Sequence, residues 1–307
     1  TPNNKNNLQY ISNFSGSYGL GLILKKNNFL FVDGRYTVQA NMQSGKFFKI
    51  LTLPFDKSKF KFELKNKKIG FDPRLFNENT INLFSNKLGI KCVAIKEKLI
   101  DSKKKDKVNV PKKKKFYILK KSVTGKDCLS KIKSLKKHFT EDNIDLMLIT
   151  SSENAAWLLN IRGSDSKFSP IPNCFLIIDK QMRIFLFCDL KKIDAQFKKE
   201  LDFIHIFEIN QLSNFLKKIS NKNFLIDSLT CSIFYKKIIE ENNFILRKSD
   251  PIYFLKAQKN IVEINNTKKI HEYDGASLTK FLFWIQNNFK KKKIKELKAQ
   301  EKLLNFK

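Results

Sequence analysis

The chain has 307 residues, of which 60 are Lys or Arg and 29 are Asp or Glu, so its formal net charge is +31. Apolar residues make up 42% and aromatic residues 12%, which is enough to bury a core and excludes a wholly disordered protein. At about 150 residues per domain, the length predicts two globular units. The longest apolar runs are far shorter than the roughly 18 residues of a membrane span, so no membrane-spanning segment is predicted.

The basic charge does not by itself predict nucleic-acid binding. Only five of the basic residues are arginine, whereas recognition of phosphates and base edges favours the bidentate guanidinium group. Lys, Asn, Ile and Phe are enriched together along the whole length, a bias that AT-rich codons produce without any ligand. The densest run, Lys103–Lys121, is more typical of a solvated linker between domains than of a nucleic-acid tail. We therefore expect no nucleic-acid partner and no membrane partner.

Cysteine and histidine spacing predicts neither a disulfide framework nor a metal site. The five cysteines lie at least 14 residues apart (188 − 174), with no C-x-x-C pair, and each sits in or beside an apolar stretch. That usage is typical of reduced core cysteines in a cytoplasmic protein. His138, His205 and His271 are equally scattered, so we expect no catalytic residue and no metal ligand in this chain.

Strand and helix patterns alternate along the first half of the chain. Two short apolar runs around a Lys-Lys-Asn-Asn turn predict a hairpin, Asp33-Gly34 predicts a turn, and Gly45 and Gly89 are predicted helix stops. In chain order the predicted elements are strands Gly19–Leu24 and Phe29–Val32, helix Tyr36–Ser44, strands Phe47–Leu53 and Lys68–Phe71, helix Glu78–Leu88 and strand Cys92–Ile95.

The second half repeats this alternation and then changes. The predicted elements are helix Lys126–Phe139, strand Asp145–Ile149, helix Glu153–Asn160 and a hairpin of strands Cys174–Ile178 and Arg183–Phe187. After Asp250 the pattern becomes two helices, Ile261–Phe289 and Lys295–Phe306, whose apolar faces need a partner. The alternation predicts the α/β class with mixed sheets.

Three short matches predict that the two halves are duplicates. Asn13-Phe14-Ser15-Gly16-Ser17 matches Asn160-Ile161-Arg162-Gly163-Ser164 at an offset of 147 residues (160 − 13). Phe31-Val32-Asp33 matches Phe187-Cys188-Asp189 at an offset of 156 (187 − 31), and Ile69–Asp72 matches Phe224–Asp227 at 155 (227 − 72). Three matches in one order at nearly one offset indicate related domains.

This symmetry predicts domains at residues 1–108, 109–250 and 251–307. The second copy has a helix and a strand, 126–149, before its Asn-x-x-Gly-Ser element, where the first copy has only twelve residues. We therefore expect that the first domain lacks its opening helix and strand, and that the final helices begin a third domain. Thr1 in place of a start methionine agrees with a chain that is incomplete at its start.

The motifs resemble those of a known peptidase family. Tyr10–Gly19, followed by Val32-Asp33-Gly34-Arg35-Tyr36 with Gln39-Ala40, is similar to the opening domain of the Xaa-Pro aminopeptidases, or aminopeptidase P. Ala155–Asp165 (AAWLLNIRGSD) resembles a block of that family's second domain. The stretch that resembles the entry into its catalytic domain is Phe254–Asn260, with Glu263, His271 and Asp274-Gly275.

The resemblance implies two related creatinase-type mixed α/β domains, followed by the first helices of an α+β pita-bread catalytic domain. Such enzymes remove the first residue from peptides whose second residue is proline, using two divalent cations, usually manganese. The resemblance places every metal ligand in the part of the catalytic domain beyond this chain, so we expect no metal in this fragment, and it implies a homodimer for the complete enzyme. The family's arginine in the Asp-Gly-Arg-Tyr block reaches the peptide, which implies substrate binding by Arg35; the alternative is a surface arginine at a turn.

The remaining motif residues have structural interpretations. Gly16, Ser17, Gly163 and Ser164 are most simply tight turns with serine as a helix cap. Asp165 is predicted to be a capping or linker-ordering carboxylate, and His271 a surface or interdomain histidine on a helix.

Three functions are compatible with the sequence. The leading one is the non-catalytic N-terminal part of a metal-dependent Xaa-Pro aminopeptidase. The alternative is a pita-bread pseudoenzyme that acts as a protein-binding module. A basic nucleic-acid binder is disfavoured by the small number of arginines and by the absence of interleaved aromatic and arginine motifs.

Overall fold

The described residues of the first half of the chain form a small unit of five strands, which we call the first repeat. The structure is a computed structural model that describes residues 7–53, 64, 67–96, 100, 114–166, 169–290 and 293–307. The β1–β2 hairpin is confirmed, with Gly19 opposite Val32, and so are the helix of residues 78–88 and its end at Gly89. The elements are α1 (Asn7–Ser12), β1 (Gly19–Ile23), β2 (Asn28–Val32), α2 (Thr37–Ser44), β3 (Lys49–Thr52), β4 (Lys68–Phe71), α3 (Glu78–Leu88) and β5 (Lys91–Ala94).

The second repeat is built on a six-stranded sheet. Its strands follow the order β11-β10-β9-β7-β12-β13, and all of them run in one direction except β9. The elements are β6 (Tyr117–Ile118), α4 (Lys121–Thr124), α5 (Cys128–Lys133), α6 (Lys136–Glu141), β7 (Leu146–Ile149), α7 (Ser152–Leu158), β8 (Ile161–Arg162), β9 (Cys174–Asp179), β10 (Ile184–Cys188), α8 (Ala195–Glu200), β11 (Ile204–Glu208), α9 (Leu212–Lys217), β12 (Asn223–Ile226), α10 (Ile233–Glu240) and β13 (Phe244–Arg247).

Sheet order and backbone conformation support the duplication. In the first repeat β1 is antiparallel to β2, β2 is parallel to β3, and β4 is parallel to β5. The second repeat pairs its strands in the same way: β9 is antiparallel to β10, β10 is parallel to β11, and β12 is parallel to β13. In the second repeat β7 lies between β9 and β12, whereas among the described residues β1-β2-β3 and β4-β5 are separate sheets. Asn13 and Asn160, which follow α1 and α7, both adopt a positive φ, of 63° and 55°. Asparagine tolerates this conformation better than most residues, and it ends both helices in the same way.

Two local predictions were wrong. The helix expected at 126–139 is two helices, α5 and α6, because the N–H groups of Ser134 and Leu135 bond to carbonyls three residues back and tighten the turn between them. The end of the lysine run is part of the second repeat, since Phe116 is 3% exposed and β6 pairs with β8. Residues 101–113 of that run, with the expected domain limit at 108, lie outside the described residues.

Apolar side chains are buried on both faces of the six-stranded sheet. Every residue of β7 is buried, and so are most residues of β9 and β10. Strands covered on both faces read as continuous apolar runs, which is the pattern of these segments. Cys128, Cys174, Cys188 and Cys231 are free thiols buried in these cores, as predicted for reduced core cysteines.

The last part of the chain is helical and packs lightly on the second repeat. It contains α11 (Ile252–Ala257), α12 (Ile261–Asn288) and α13 (Glu296–Phe306). α12 and α13 pack together, and the Ser277 hydroxyl donates to the Phe306 carbonyl at 2.8 Å. Ser277 is the one buried residue of α12, while Leu282 and Phe289 on its predicted apolar face are 51% and 56% exposed and Leu297 of α13 is 72% exposed. This agrees with the prediction of apolar helix faces that need a partner. No helix among the described residues is long and apolar enough to cross a membrane.

Gly125 lies where the second repeat contacts the start of α12, and replacing it with alanine is expected to destabilise the fold. A Cβ at Gly125, where φ is +71°, would lie 2.1 Å from Asn260 Oδ1. Asn260 caps α12 and also donates to the Thr124 carbonyl, so it cannot move away without losing these bonds. Gly89 is a control for the cost of a positive φ, because its φ is +65° but no atom outside its own chain neighbourhood lies within 4 Å of its Cβ position; its ψ is 37°, against −30° at Gly125.

We expect Gly125→Ala to lower the free energy of unfolding by about 2–4 kcal/mol, the sum of the left-handed backbone cost and a lost helix cap. Gly89→Ala should cost about 1–2 kcal/mol, from the backbone alone. Urea denaturation of the two variants measures the difference. Equal losses would show that Asn260 adapts without cost.

Candidate functional site

Arg35 lies on a short turn that directly follows strand β2. Asp33 caps a single 3₁₀ turn, Gly34–Tyr36, by accepting a hydrogen bond from the Arg35 N–H at 3.0 Å. The same carboxylate holds the guanidinium group, with Nε to Oδ1 at 2.8 Å and one terminal nitrogen to Oδ2 at 3.3 Å. The sequence of the block therefore fixes both the turn and the direction of the side chain.

The guanidinium group is presented to solvent in a defined orientation. Its side chain is 77% exposed, and the Tyr36 ring lies 5.7 Å from the guanidinium carbon. The hydrogen bond from Arg35 lowers the pKa of Asp33, and Asp33 in turn raises the pKa of Arg35, so both groups are charged at neutral pH. Among the described residues, the second terminal nitrogen of Arg35 bonds to nothing. The arrangement can therefore donate to a carbonyl or carboxylate oxygen of a ligand.

Hydrogen bonds between polar side chains connect the Asn13–Ser17 loop to this turn and to α2. Ser15 bonds Gln39 and Gln43, and the Ser17 hydroxyl lies 2.6 Å from the Tyr36 hydroxyl. Sequence reasoning named Gln39 only as part of the family-like motif and missed Gln43. The spacing of four residues between the two glutamines, which places them on one helix face, is the signal that could have found it. Ser17 begins no helix, so its predicted capping role is wrong; it precedes strand β1 and fastens the Arg35 turn instead.

The second repeat carries the equivalent turn with different chemistry. Asp189 caps a 3₁₀ turn by accepting from the Lys191 N–H at 3.1 Å, so Lys191 stands where the first repeat has Arg35 (191 − 35 = 156). The next residue, Lys192, forms an ion pair with Asp165, whose other oxygen accepts from the Asn173 N–H at 2.7 Å. Asp165 thus orders the loop after β8, which differs from the predicted capping or linker-ordering role because its partners lie in that loop and in the turn after β10. Ser164 is exposed in the loop after β8 and begins no helix, which corrects its predicted capping role.

The described residues do not fit a dinuclear metal centre. No group of three or more His, Cys, Asp or Glu in this part of the chain could hold a metal ion. His271 is exposed on α12, and His205 is exposed and stacks on Phe185 at 5.2 Å.

Comparison with known proteins relates both repeats to one domain type. A family model described as the creatinase/prolidase N-terminal domain matches residues 107–263, more than half of the chain. A second model with the same description matches residues 3–102. This chain belongs to the creatinase/prolidase N-terminal domain family. The family therefore accounts for both repeats and for the mixed α/β fold.

Individual relatives of this family member are peptidases. It is 30% identical over 303 residues to Xaa-Pro aminopeptidase 1 of Dictyostelium discoideum, covering 92% of this chain and 48% of that protein. It is 29% identical over 294 residues to the probable Xaa-Pro aminopeptidase P of Laccaria bicolor, covering 90% of this chain and 45% of that protein. The chain spans about half the length of the curated relatives it matches.

A solved structure shares the whole arrangement of elements. The X-prolyl aminopeptidase from Caenorhabditis elegans, described as a cytosolic enzyme with a di-nuclear active site, superposes with a TM-score of 0.85 at 24% identity. The match covers 98% of this chain and 52% of that one. It establishes the creatinase-type aminopeptidase fold for nearly every residue.

Proposed function

We propose that this chain is the non-catalytic, substrate-orienting N-terminal part of a metal-dependent aminopeptidase. The enzyme would remove the first residue from peptides with proline in second position. The observation that carries the proposal is the 30% identity over 303 residues to a protein named Xaa-Pro aminopeptidase 1, which spans both repeats and the helices after them. The proposed domains are residues 1–108, 109–250 and 251–307, the last being the beginning of the pita-bread domain.

Within this function, Arg35 binds the peptide and the metals lie elsewhere. The Asp33-held guanidinium group offers a hydrogen-bond donor to a peptide carbonyl or carboxylate oxygen. Two divalent cations, manganese in our proposal, would supply the hydrolytic chemistry from ligands outside these residues. We also propose a cytoplasmic location and a homodimer for the complete enzyme; free buried thiols and the cytosolic neighbour support the location.

The proposal is tested by comparing the 307-residue chain with the product of the complete open reading frame. We expect the chain alone to bind no stoichiometric manganese by calorimetry and to release no amino acid from an Xaa-Pro peptide. The complete protein should do both. Turnover by the chain alone, above a no-enzyme blank, would contradict its non-catalytic role. A complete protein that neither binds manganese nor hydrolyses the peptide would instead support the pseudoenzyme alternative.

A further inference from the structure

The two repeats meet where strands β4 and β12 end. Asn77 and Ser232 form an antiparallel β-bridge, and the Asn77 side chain donates to the Leu229 carbonyl at 2.6 Å. The N–H groups of Ile233 and Phe234 donate to the carbonyls of Phe76 and Pro73, each at 2.9 Å. These backbone bonds lie within one short stretch of each repeat, so they form a line of contact about which the repeats could still rotate.

This line of contact joins equivalent residues of the two repeats. Asn77 and Ser232 are separated by the same 155 residues as Asp72 and Asp227 (232 − 77), and they cap the equivalent helices α3 and α10. In an interface with two-fold symmetry, a residue on the axis meets its own equivalent. The repeats are therefore arranged locally like two subunits of a symmetric dimer.

The charged contacts beside the bridge do not share this symmetry. Glu78, the first residue of α3, accepts from Lys236 Nζ at 2.9 Å and from Arg247 Nε at 3.3 Å. Both cations belong to the second repeat, one on α10 and one on β13, and the Lys236 side chain is only 15% exposed. The residue equivalent to Glu78 is Ile233 (233 − 78 = 155), so this contact is made in one direction only.

We propose that Glu78 is a positioning residue that holds the first repeat, and with it Arg35, in one orientation against the second repeat. One ion pair reaches Lys236, further along α10, and the other reaches Arg247 on the separate strand β13, so together they oppose rotation about the bridge. The second repeat leads through α11 into α12, so the same contact sets where Arg35 lies relative to the segment that follows. The statement about Arg35 rests on the proposed function; the statement about the repeats does not.

The chain offers a matched control in Glu240. Glu240 contacts the same cations, Arg247 at 3.3 Å and Lys236 at 3.6 Å, but it belongs to the second repeat itself and cannot join the two. Glu78→Gln and Glu240→Gln therefore remove one carboxylate charge from the same network. They differ in whether that charge crosses the contact between repeats.

Hydrogen exchange of the 307-residue chain tests the contact directly. In Glu78→Gln, the Ile233 and Phe234 amides should exchange about tenfold faster, as for the loss of a charge-assisted hydrogen bond, while the amides of β7 remain unchanged. In Glu240→Gln, all of these amides should stay within about twofold of the parent. Unchanged exchange at Ile233 and Phe234 in Glu78→Gln, or equal acceleration in both variants, would overturn the proposal.

A double-mutant cycle in the complete enzyme tests the link to Arg35. Glu78→Gln should lower kcat/KM in the parent enzyme but produce no further loss in Arg35→Ala, because a misplaced arginine and an absent one are equivalent. Additive losses would overturn the positioning of Arg35. If Arg35→Ala alone leaves kcat/KM unchanged while the exchange result holds, the contact between repeats stands and the substrate role of Arg35 fails.

Discussion

Replacing Arg35 with alanine in the complete enzyme is expected to lower kcat/KM for Xaa-Pro peptides by roughly ten- to a hundredfold. That is the effect of one charge-assisted hydrogen bond to the substrate. The melting temperature and metal content should barely change, because the Arg35 side chain is 77% exposed and, among the described residues, contacts only Asp33 and Tyr36 of its own turn. Lysine at position 35 should restore activity in part, since it keeps the charge but lacks the planar donor pair that Asp33 orients.

The second repeat supplies the control for this experiment. Lys191 occupies the equivalent turn after β10, so Lys191→Ala removes a basic side chain from the same local structure. We expect that variant to keep kcat/KM within about twofold of the parent. An Arg35→Ala enzyme with equally unchanged kcat/KM would show that Arg35 is a surface residue of a turn.

Raising the pH above 9 is expected to destabilise the chain steeply, because four thiols are buried. Burial raises the pKa of Cys128, Cys188 and Cys231 to about 12 and also raises the pKa of Cys174, from an ordinary value of 9.0. Above pH 9 the unfolded chain therefore releases protons that the folded chain retains. Each thiol then lowers the free energy of unfolding by about 1.4 kcal/mol per pH unit.

One buried amine acts in the opposite direction. Lys131 is 2% exposed, and burial lowers its pKa to about 8, so the unfolded chain holds this proton to higher pH than the folded chain does. Between pH 9 and 10, where the unfolded thiols are only partly ionised at first, the four thiols together lower the free energy of unfolding by about 4 kcal/mol. Lys131 offsets about 1 kcal/mol of this, which leaves a net loss of about 3 kcal/mol. Total stabilities of about 5–15 kcal/mol are typical, so unfolding is expected within two to four pH units.

Urea denaturation in reducing buffer at pH 7, 9 and 10 measures this dependence. Cys188→Ala should reduce the loss between pH 9 and 10 by about 1 kcal/mol. Cys92→Ala should reduce it less, because that thiol is only partly buried and its pKa is raised less far. Identical slopes in the parent and in Cys188→Ala would contradict a thiol origin of the alkaline loss.

The paired turns after β2 and β10 show how the two repeats have come to differ. Both keep an aspartate that caps a 3₁₀ turn, at Asp33 and Asp189. The first repeat joins its loop to the turn through the hydroxyls of Ser17 and Tyr36, whereas the second uses the ion pair of Asp165 and Lys192. The first therefore presents an aspartate-held arginine to solvent, and the second uses its charge to hold its own loop.

Short-range signals in the sequence were sufficient for most elements and for the family. The hairpin of β1 and β2, the end of α3 at Gly89 and the Asp33 turn depend on residues within a few positions of one another, where backbone sterics and local hydrogen bonds decide the conformation. The duplication could be read from three matched motifs, because the repeats keep the same backbone conformations at the same offsets. Arg35 could be singled out because its motif lies within one turn.

Only the tertiary structure decided which charges act across long distances. Many lysines have similar neighbours in sequence, but folding buries Lys131, whose ammonium group bonds to Trp157 and Asn160. Folding also brings Lys236 and Arg247 to Glu78, from which they are 158 and 169 residues away in sequence. It also breaks the expected helix 126–139, although the sequence has no proline or glycine there. The helix propensity of such a stretch is weak, and the burial of Ile132, Leu135 and Phe139 in one core outweighs it. The sequence cannot show this, because these side chains meet their core neighbours only after folding.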